Sequence, residues 1–154
     1  KGNDVPISTL DDKVIGIYFS ASWCGPCRRF TPSLVKYREM YKDDFEVIFV
    51  SSDRSASAQA DYMKKYDMKW PAVKYEAKER KILQQIYQVS GIPKLVLLNT
   101  EGETLTPEGR NMISQKVPIE KLKTARIVEE TFKCGKCSKD HKRKKLVYDG
   151  QDGS

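Results

Sequence analysis

The chain has 154 residues, of which 39% are hydrophobic and 32% are charged. This composition is typical of one globular domain with a single core, and it argues against a disordered chain. No apolar run approaches the ~18 residues that cross a bilayer, so we expect no membrane-spanning helix. The formal net charge is +7, yet residues 133–145 carry seven Lys or Arg residues against one Asp. The rest of the chain is therefore close to neutral, and the basic character is that of a tail.

The first part of the chain alternates predicted strands and helices. Residues 5–10 predict a short edge strand, and the apolar run Val14–Phe19 predicts a central strand covered on both faces. Apolar residues then recur every three or four positions, which predicts a helix over residues 26–42 with a kink at Pro32. Residues 45–51 predict a second central strand, parallel to the first, because the helix provides a right-handed crossover.

The Trp23-Cys24-Gly25-Pro26-Cys27 stretch lies where the first strand passes into the first helix. Unpaired backbone N–H groups and the helix dipole stabilise a thiolate at such a position. The spacing lets Cys27 reach the sulfur of Cys24, so a mixed disulfide formed at Cys24 can be resolved by Cys27. Pro26 suits the first helical turn, and Gly25 allows a partner to approach closely. Half of a zinc site and an inert buried pair are the alternatives, and the context favours the redox interpretation.

Two further helices follow the second strand. They are predicted over residues 56–66 and 78–89, and Gly91 is expected to close the second in a left-handed conformation. Their inward faces are expected to contain Ala60, Met63 and Tyr66 in the first helix, and Ile82, Ile86 and Val89 in the second. Between the second strand and these helices, Asp53 and Arg54 could contact a substrate, although we favour a helix cap.

The remaining elements complete the predicted sheet. Residues 94–98 predict a third central strand, and a hairpin turn leads to an edge strand near residues 104–105. Residues 109–111 are predicted as a loop in which Arg110 is solvated, and the last helix is predicted over residues 118–132. Trp70 stands beside Pro71, and its role in a substrate groove or in packing stays open.

Several segments together resemble one family. The run from Tyr18 to Arg28, with Phe30-Thr31-Pro32 after it, is similar to the thioredoxin superfamily, and most of all to its tryparedoxin and nucleoredoxin branch. Val50–Arg54, Trp70–Val73 and Gly91–Pro93 follow in that branch's order, so the resemblance covers roughly residues 5–119.

Two positions depart from the family patterns. The branch usually has Pro-Pro between its cysteines, whereas Gly25-Pro26 is the pair of thioredoxin itself. Thioredoxin has a buried Asp where this chain has Tyr18, as the tryparedoxin-like branch does, so no carboxylate base is carried over at that position.

The resemblance implies a thioredoxin fold of the α/β class, with a central mixed sheet of about five strands and helices on both faces. It also implies a cis peptide bond before Pro93, which would face the two cysteines. Trp23, Ile92 and Pro93 would then form a shallow apolar surface, on which the Ile92 backbone binds an extended peptide by strand addition. The expected catalytic residues are Cys24 and Cys27, and this chemistry requires no organic cofactor and no metal.

The function expected from this reading is reduction of protein disulfides by Cys24 as the nucleophile and Cys27 as the resolving thiol. The partners would be disulfide-containing proteins and an electron donor, either a reductase or a low-molecular-weight thiol. The alternative is a redox-sensitive protein-binding module of the nucleoredoxin type with little turnover. A peroxidase is disfavoured because the Pro-xxx-Thr-xx-Cys signature is missing.

Paired thiols of this kind suit a reducing compartment, so we expect a monomer in the cytoplasm, with the nucleus as the alternative, and no membrane partner. The sequence begins at Lys1 rather than Met, so we interpret it as a fragment or a processed form, and the loss of a targeting segment stays open.

The C-terminal end supports several interpretations. We divide the chain into a thioredoxin-like domain over residues 1–132 and a flexible basic tail over residues 133–154. We favour two free thiols, Cys134 and Cys137, in a solvated tail. The alternatives are a second redox pair and a zinc site, in which Cys134, Cys137 and His141 would need a fourth ligand from Asp140 or a second chain. The run Lys142–Lys145 resembles a nuclear-import patch, and without an aromatic platform beside it we expect no specific nucleic-acid binding.

Overall fold

The computed structural model of the protein describes Asp4 and residues 6–147. Its central sheet has four strands in the order β2-β1-β3-β4. The strands, in chain order, are β1 (Val14–Ser20), β2 (Phe45–Ser51), β3 (Lys94–Leu98) and β4 (Thr104–Thr106). β1 runs parallel to β2 and antiparallel to β3, and β3 runs antiparallel to β4. The sheet is therefore mixed, as predicted.

Five helices accompany this sheet in the described part of the chain. They are α1 (Gly25–Met40), α2 (Ala56–Lys65), α3 (Glu79–Ile86), α4 (Gly109–Ser114) and α5 (Ile119–Thr124). Every residue of β1 is buried, which is the pattern of a strand covered on both faces. One core cluster joins the sheet to side chains of α1, α2, α4 and α5, and a second joins its other face to Leu83 of α3. The helices thus flank the sheet on both faces.

The sheet has four strands rather than about five because the predicted first edge strand does not form. Ile7–Leu10 is a 3₁₀ helix, in which the N–H of Thr9 donates to the carbonyl of Pro6. Residue 5, where the predicted strand began, lies outside the described residues. Pro6 cannot donate to a strand ladder, which favours the turn over the strand.

The last helix is shorter than predicted. It ends at Thr124, and the chain then forms two antiparallel strands, β5 (Arg126–Lys133) and β6 (Asp140–Val147). We call residues 126–147 the C-terminal hairpin. Ile127 lies opposite Leu146, and both pack against the main core, while Glu129 and Glu130 lie opposite basic residues of β6. These cross-strand pairs favour the hairpin over a continued helix. The hairpin crosses the predicted boundary at residue 132, and residues 148–154 of the predicted tail lie outside the described residues.

Local details of α2, α3 and α4 also differ from the predictions. The fully buried residues of α2 are Gln59 and Tyr62; the predicted Met63 and Tyr66 are half-buried against the main core, and the predicted Ala60 is exposed. In α3 the predicted inward side chains Ile82 and Ile86 are 41% and 63% exposed. Gln88, with a φ of 49°, takes the left-handed conformation expected of Gly91. The predicted loop at residues 109–111 is the first turn of α4. Apolar periodicity predicts that a helix forms more reliably than it predicts which residues of the helix are buried.

Candidate functional site

The two central cysteines are joined at the N-terminus of α1. Cys24 is the N-cap residue and Cys27 lies in the first turn, with Cα atoms 5.2 Å apart, and the pair forms a disulfide. Cys27 is fully buried. The N–H of Cys27 donates to the Cys24 sulfur over 3.3 Å. β1 ends at Ser20, and a turn closed by the Cys24 N–H and the Ala21 carbonyl brings the chain into α1. Pro26 has no backbone N–H, and a residue in the first turn of a helix needs none, so the helix can begin here.

The disulfide lies beside an exposed aromatic ring and a cis proline. The Ile92–Pro93 peptide bond is cis, as the resemblance implied. The Cys24 sulfur is 3.8 Å from the carbonyl oxygen of Ile92. Trp23 is 52% exposed, and its Nε1 donates to the carbonyl of Ser52 over 3.1 Å. The structure therefore brings the sequence-predicted Ile92 beside Cys24, with Trp23 exposed, Ile92 half-buried, and Cys24 and Pro93 buried.

Gly25 and Pro26 form the outer edge of the same turn. Pro26 is exposed and Gly25 is partly exposed. A Cβ atom at Gly25 would meet only guanidinium atoms of Arg29 and Arg28, at 3.7 and 4.0 Å. This edge is therefore open to an approaching partner.

Asp53 holds the loop that carries Trp23 and Cys24. Its carboxylate is buried, and Oδ1 accepts hydrogen bonds from the backbone N–H of Ser22 at 2.8 Å and from the Ser22 hydroxyl at 2.6 Å. Oδ2 accepts from the Ser51 hydroxyl at 2.6 Å. The helix cap that we favoured for Asp53 is wrong, because Ser55 caps α2 by accepting from the Ala58 N–H. A polar residue directly after a buried strand was the available signal, but its partner is 31 positions away.

A cluster of hydroxyl groups lies behind Cys27. The Thr31 hydroxyl donates to the Cys27 carbonyl at 2.8 Å and lies 2.8 Å from the Tyr18 hydroxyl and 2.9 Å from that of Tyr62. Burial raises the pKa of Tyr18 well above its ordinary value. Tyr18 therefore stays neutral near pH 7 and can serve there as a hydrogen-bonding group but not as a base.

Arg110 and Trp70 are two further candidates from the sequence. Arg110 is exposed, as predicted, but its guanidinium lies 5.5 Å from the centre of the Phe30 ring, and Nη1 donates to the carbonyl of Pro93 over 3.4 Å. It is thus anchored beside the cis proline rather than freely solvated. Trp70 is buried in the main core, which favours packing as its role.

The second CxxC pair lies in the turn of the C-terminal hairpin. Cys134 and Cys137 are free thiols, and their sulfur atoms and a ring nitrogen of His141 all lie within 4.8 Å of one another. Hydrogen bonds from the backbone N–H of Lys136, the Cys137 thiol and the Cys137 N–H lower the pKa of the Cys134 thiol. The structure thus gathers the three residues that the sequence marked as possible metal ligands.

Comparisons with a family model, with known sequences and with solved structures all point to the same family. A family model described as thioredoxin-like matches residues 11–104. Probable nucleoredoxin 1 of Arabidopsis thaliana is 42% identical over 115 residues, which cover 73% of this chain and 20% of that protein. Tryparedoxin II from C. fasciculata has a TM-score of 0.68 at 35% identity, covering 74% of this chain and 76% of that one. A structure of tryparedoxin II complexed with glutathionylspermidine gives 0.67 at 34%, over 73% and 79% of the two chains.

The chain spans about a fifth of the length of the Arabidopsis relative. The matched residues include both cysteines of the disulfide, Asp53 and the Ile92–Pro93 bond. Among the described residues, no helix is long and apolar enough to cross a membrane. The chain belongs to the thioredoxin-like family, and within it to the tryparedoxin and nucleoredoxin branch.

Proposed function

We propose that this chain, a member of a family of thiol–disulfide oxidoreductases, reduces disulfides of protein substrates. The observation that carries the proposal is the Cys24–Cys27 disulfide at a helix N-terminus, flanked by exposed Trp23 and the cis Ile92–Pro93 bond. This arrangement puts a reactive sulfur where a thiolate is stabilised and where an extended partner can approach.

In the reduced protein, the thiolate of Cys24 attacks one sulfur of the substrate disulfide. A mixed disulfide forms, and the second substrate sulfur leaves as a thiolate. Cys27 then attacks the Cys24 sulfur, which releases the first substrate sulfur and leaves the intramolecular Cys24–Cys27 disulfide. Two electrons pass to the substrate, and the disulfide form described above is the product of the cycle. The two roles are assigned because Cys24 is 6% exposed and follows the exposed Trp23 in the chain, whereas Cys27 is fully buried.

The surroundings of the sulfurs suit Cys24 as the nucleophile and Cys27 as the resolving thiol. The N–H of Cys27, 3.3 Å from the Cys24 sulfur, can donate to the thiolate once the pair is reduced. The backbone of Ile92 is available to an extended peptide in the manner of strand addition, since its carbonyl is 3.8 Å from Cys24. Trp23, Gly25 and Pro26 would border the bound segment.

Electrons must return to the cysteines from a reductase or a low-molecular-weight thiol. Tryparedoxin II has been solved with glutathionylspermidine, which supports a small thiol as one class of donor. The Gly25-Pro26 spacer resembles that of reducing thioredoxins, whose couple lies near roughly −270 mV. A reductant of this kind needs a reducing compartment, so we propose a cytoplasmic or nuclear site of action for a monomer.

The test is reduction of insulin disulfides with dithiothreitol as the electron source. We expect the intact chain to accelerate the reaction and Cys24→Ser to abolish the acceleration. Cys134→Ser should keep it within about twofold, because Cys134 belongs to the turn of the hairpin and not to the Cys24–Cys27 disulfide. Failure of the intact chain to accelerate the reaction would contradict the reductase.

The alternative function is a redox-sensitive binding module, which the nucleoredoxin relative supports. In that case a partner would bind one redox form of the Cys24–Cys27 pair tightly, and turnover would be slow. Comparison of partner affinity for the oxidised and reduced chain, beside the steady-state rate, separates the two functions.

A further inference from the structure

The C-terminal hairpin brings three soft ligands together at its turn. The sulfur of Cys137 lies 3.0 Å from Nε2 of His141, and both atoms lie within 4.8 Å of the Cys134 sulfur. These residues lie outside the segment matched by the thioredoxin-like family model, and reduction of disulfides by Cys24 and Cys27 does not use them.

The backbone of the turn holds the two cysteines in place. The N–H of Cys134 donates to the carbonyl of Lys139 at 3.2 Å, and the N–H of Ser138 donates to the carbonyl of Cys134 at 3.0 Å. Ser138 takes the left-handed conformation that such a turn requires, with a φ of 54°. The positions of Cys134 and Cys137 therefore follow from the hairpin itself.

The strand register places the histidine on the same side. His141 is opposite Phe132, and the two ring centres are 5.7 Å apart with an interplanar angle of 32°. The guanidinium of Arg143 lies over the Phe132 ring, 5.0 Å from its centre. The packed imidazole keeps Nε2 directed at Cys137. Less conformational entropy is then lost when a metal binds than in an unstructured tail.

Two thiolates and one imidazole form a donor set that Zn²⁺ prefers. Tetrahedral zinc has Zn–S distances of about 2.3 Å, which put two sulfur ligands about 3.8 Å apart. The three ligand atoms already lie within 4.8 Å of one another, so small rotations of the side chains suffice. The two residues between Cys134 and Cys137 also lie within the spacing range of zinc-binding cysteine pairs.

Charge balance favours the same ion. Lys133, Lys136, Lys139 and Lys142 surround the turn and oppose a bare divalent cation. A donor set of two thiolates and a neutral imidazole carries two negative charges, however, which one Zn²⁺ balances. The basic turn is therefore compatible with this donor set.

We propose that Cys134, Cys137 and His141 bind one Zn²⁺, with water in the fourth position. The ion joins the turn to β6 at the end of the hairpin that is remote from the core, whereas Ile127 and Leu146 anchor the other end. A two-stranded hairpin is marginally stable by itself, so the metal would order the turn. The proposal is independent of the reduction of disulfides.

The experiment measures Zn²⁺ bound to the full chain under reducing conditions, by competition with a chromophoric chelator, with Co²⁺ as a spectroscopic probe. We expect one ion per chain and a thiolate-to-cobalt charge-transfer band in the intact protein. Cys134→Ser, Cys137→Ser and His141→Ala should each weaken Zn²⁺ affinity by at least tenfold, whereas His141→Cys keeps a ligand and should retain binding. The double variant Cys24→Ser/Cys27→Ser should bind Zn²⁺ as the intact chain does, which separates the hairpin from the other CxxC pair.

A second readout is amide hydrogen exchange over residues 126–147. Zn²⁺ should slow exchange in the turn of the intact chain and leave it unchanged in Cys134→Ser, while exchange in β1 and β3 reports that each variant is folded. Absence of bound Zn²⁺ in the intact chain, undiminished affinity in Cys134→Ser, or loss of binding in the Cys24→Ser/Cys27→Ser variant would each overturn the site.

Discussion

The buried carboxylate of Asp53 accepts two hydrogen bonds from Ser22, one from its backbone N–H and one from its hydroxyl. Ser22 directly precedes Trp23 and Cys24, so this contact ties the loop that carries the reactive sulfur to the end of β2. It also joins residues 31 positions apart, which makes the geometry of the disulfide loop a property of the folded sheet.

Asp53→Ala should therefore destabilise the protein by about 2–3 kcal/mol, because it leaves the buried donors of Ser22 and Ser51 without an acceptor. Urea unfolding measures the change in the free energy of unfolding. Arg54→Ala is the matched control, since the neighbouring side chain is exposed and should change stability by less than about 0.5 kcal/mol. Equal effects of the two substitutions would contradict the role of Asp53.

Cys27→Ser should trap the mixed disulfide, because the substrate-bound Cys24 sulfur then has no resolving thiol. A non-reducing gel of the variant mixed with a disulfide-containing protein should show a covalent adduct that dithiothreitol removes. Cys24→Ser should form no such adduct, since Cys27 is fully buried. If Cys24→Ser formed the adduct and Cys27→Ser did not, the two roles would be reversed.

Trp23→Ala should lower kcat/KM for insulin reduction by about tenfold, as expected for an exposed aromatic side chain in a docking surface. Stability should change little, because the ring is half exposed. Trp23→Phe keeps an aromatic surface and should recover most of the activity. Met40→Ala is a control for an exposed apolar residue at the other end of α1. An unchanged kcat/KM in Trp23→Ala would remove this ring from the substrate surface.

The stability of the folded protein should fall as the pH rises above about 10, the ordinary pKa of a tyrosine. Burial raises the pKa of Tyr18 in the folded state, so the folded state keeps a proton that the unfolded chain loses. The stabilisation is thus fully present below pH 10 and is lost as the pH rises toward the folded pKa. Urea unfolding should be measured at about pH 8 to 11. The free energy of unfolding should fall less steeply with pH for Tyr18→Phe than for the intact chain. Parallel curves would contradict this contribution of Tyr18.

Local pattern predicted the part of the fold that surrounds the disulfide. The apolar run of β1 is long enough to require burial on both sides, and the helical period after Cys27 predicts α1. The Ile92–Pro93 segment before β3 was recognised by resemblance. The strand and the helix depend on neighbours in the sequence, so local pattern and spacing were sufficient to predict them, whereas the Ile92–Pro93 segment needed the resemblance.

Other elements depended on partners that are distant along the chain. The length of the last helix was predicted incorrectly because residues 126–133 find cross-strand partners in β6, and pairing of this kind has no local signature in a charged segment. The buried faces of α2 and α3 were predicted only in part: Met63, Tyr66 and Val89 pack against the core, whereas Ala60, Ile82 and Ile86 are exposed, since the position of the sheet decides which side of a helix is covered.

The sequence by itself determined that the chain has a strand, a CxxC pair and a helix in succession, because burial and helical period are local properties of neighbouring residues. Only the tertiary structure decided that Asp53 binds Ser22 and that Arg110 lies beside Pro93. Each of these contacts joins segments that are distant along the chain, so its geometry depends on how the elements of the sheet domain pack rather than on spacing in the sequence.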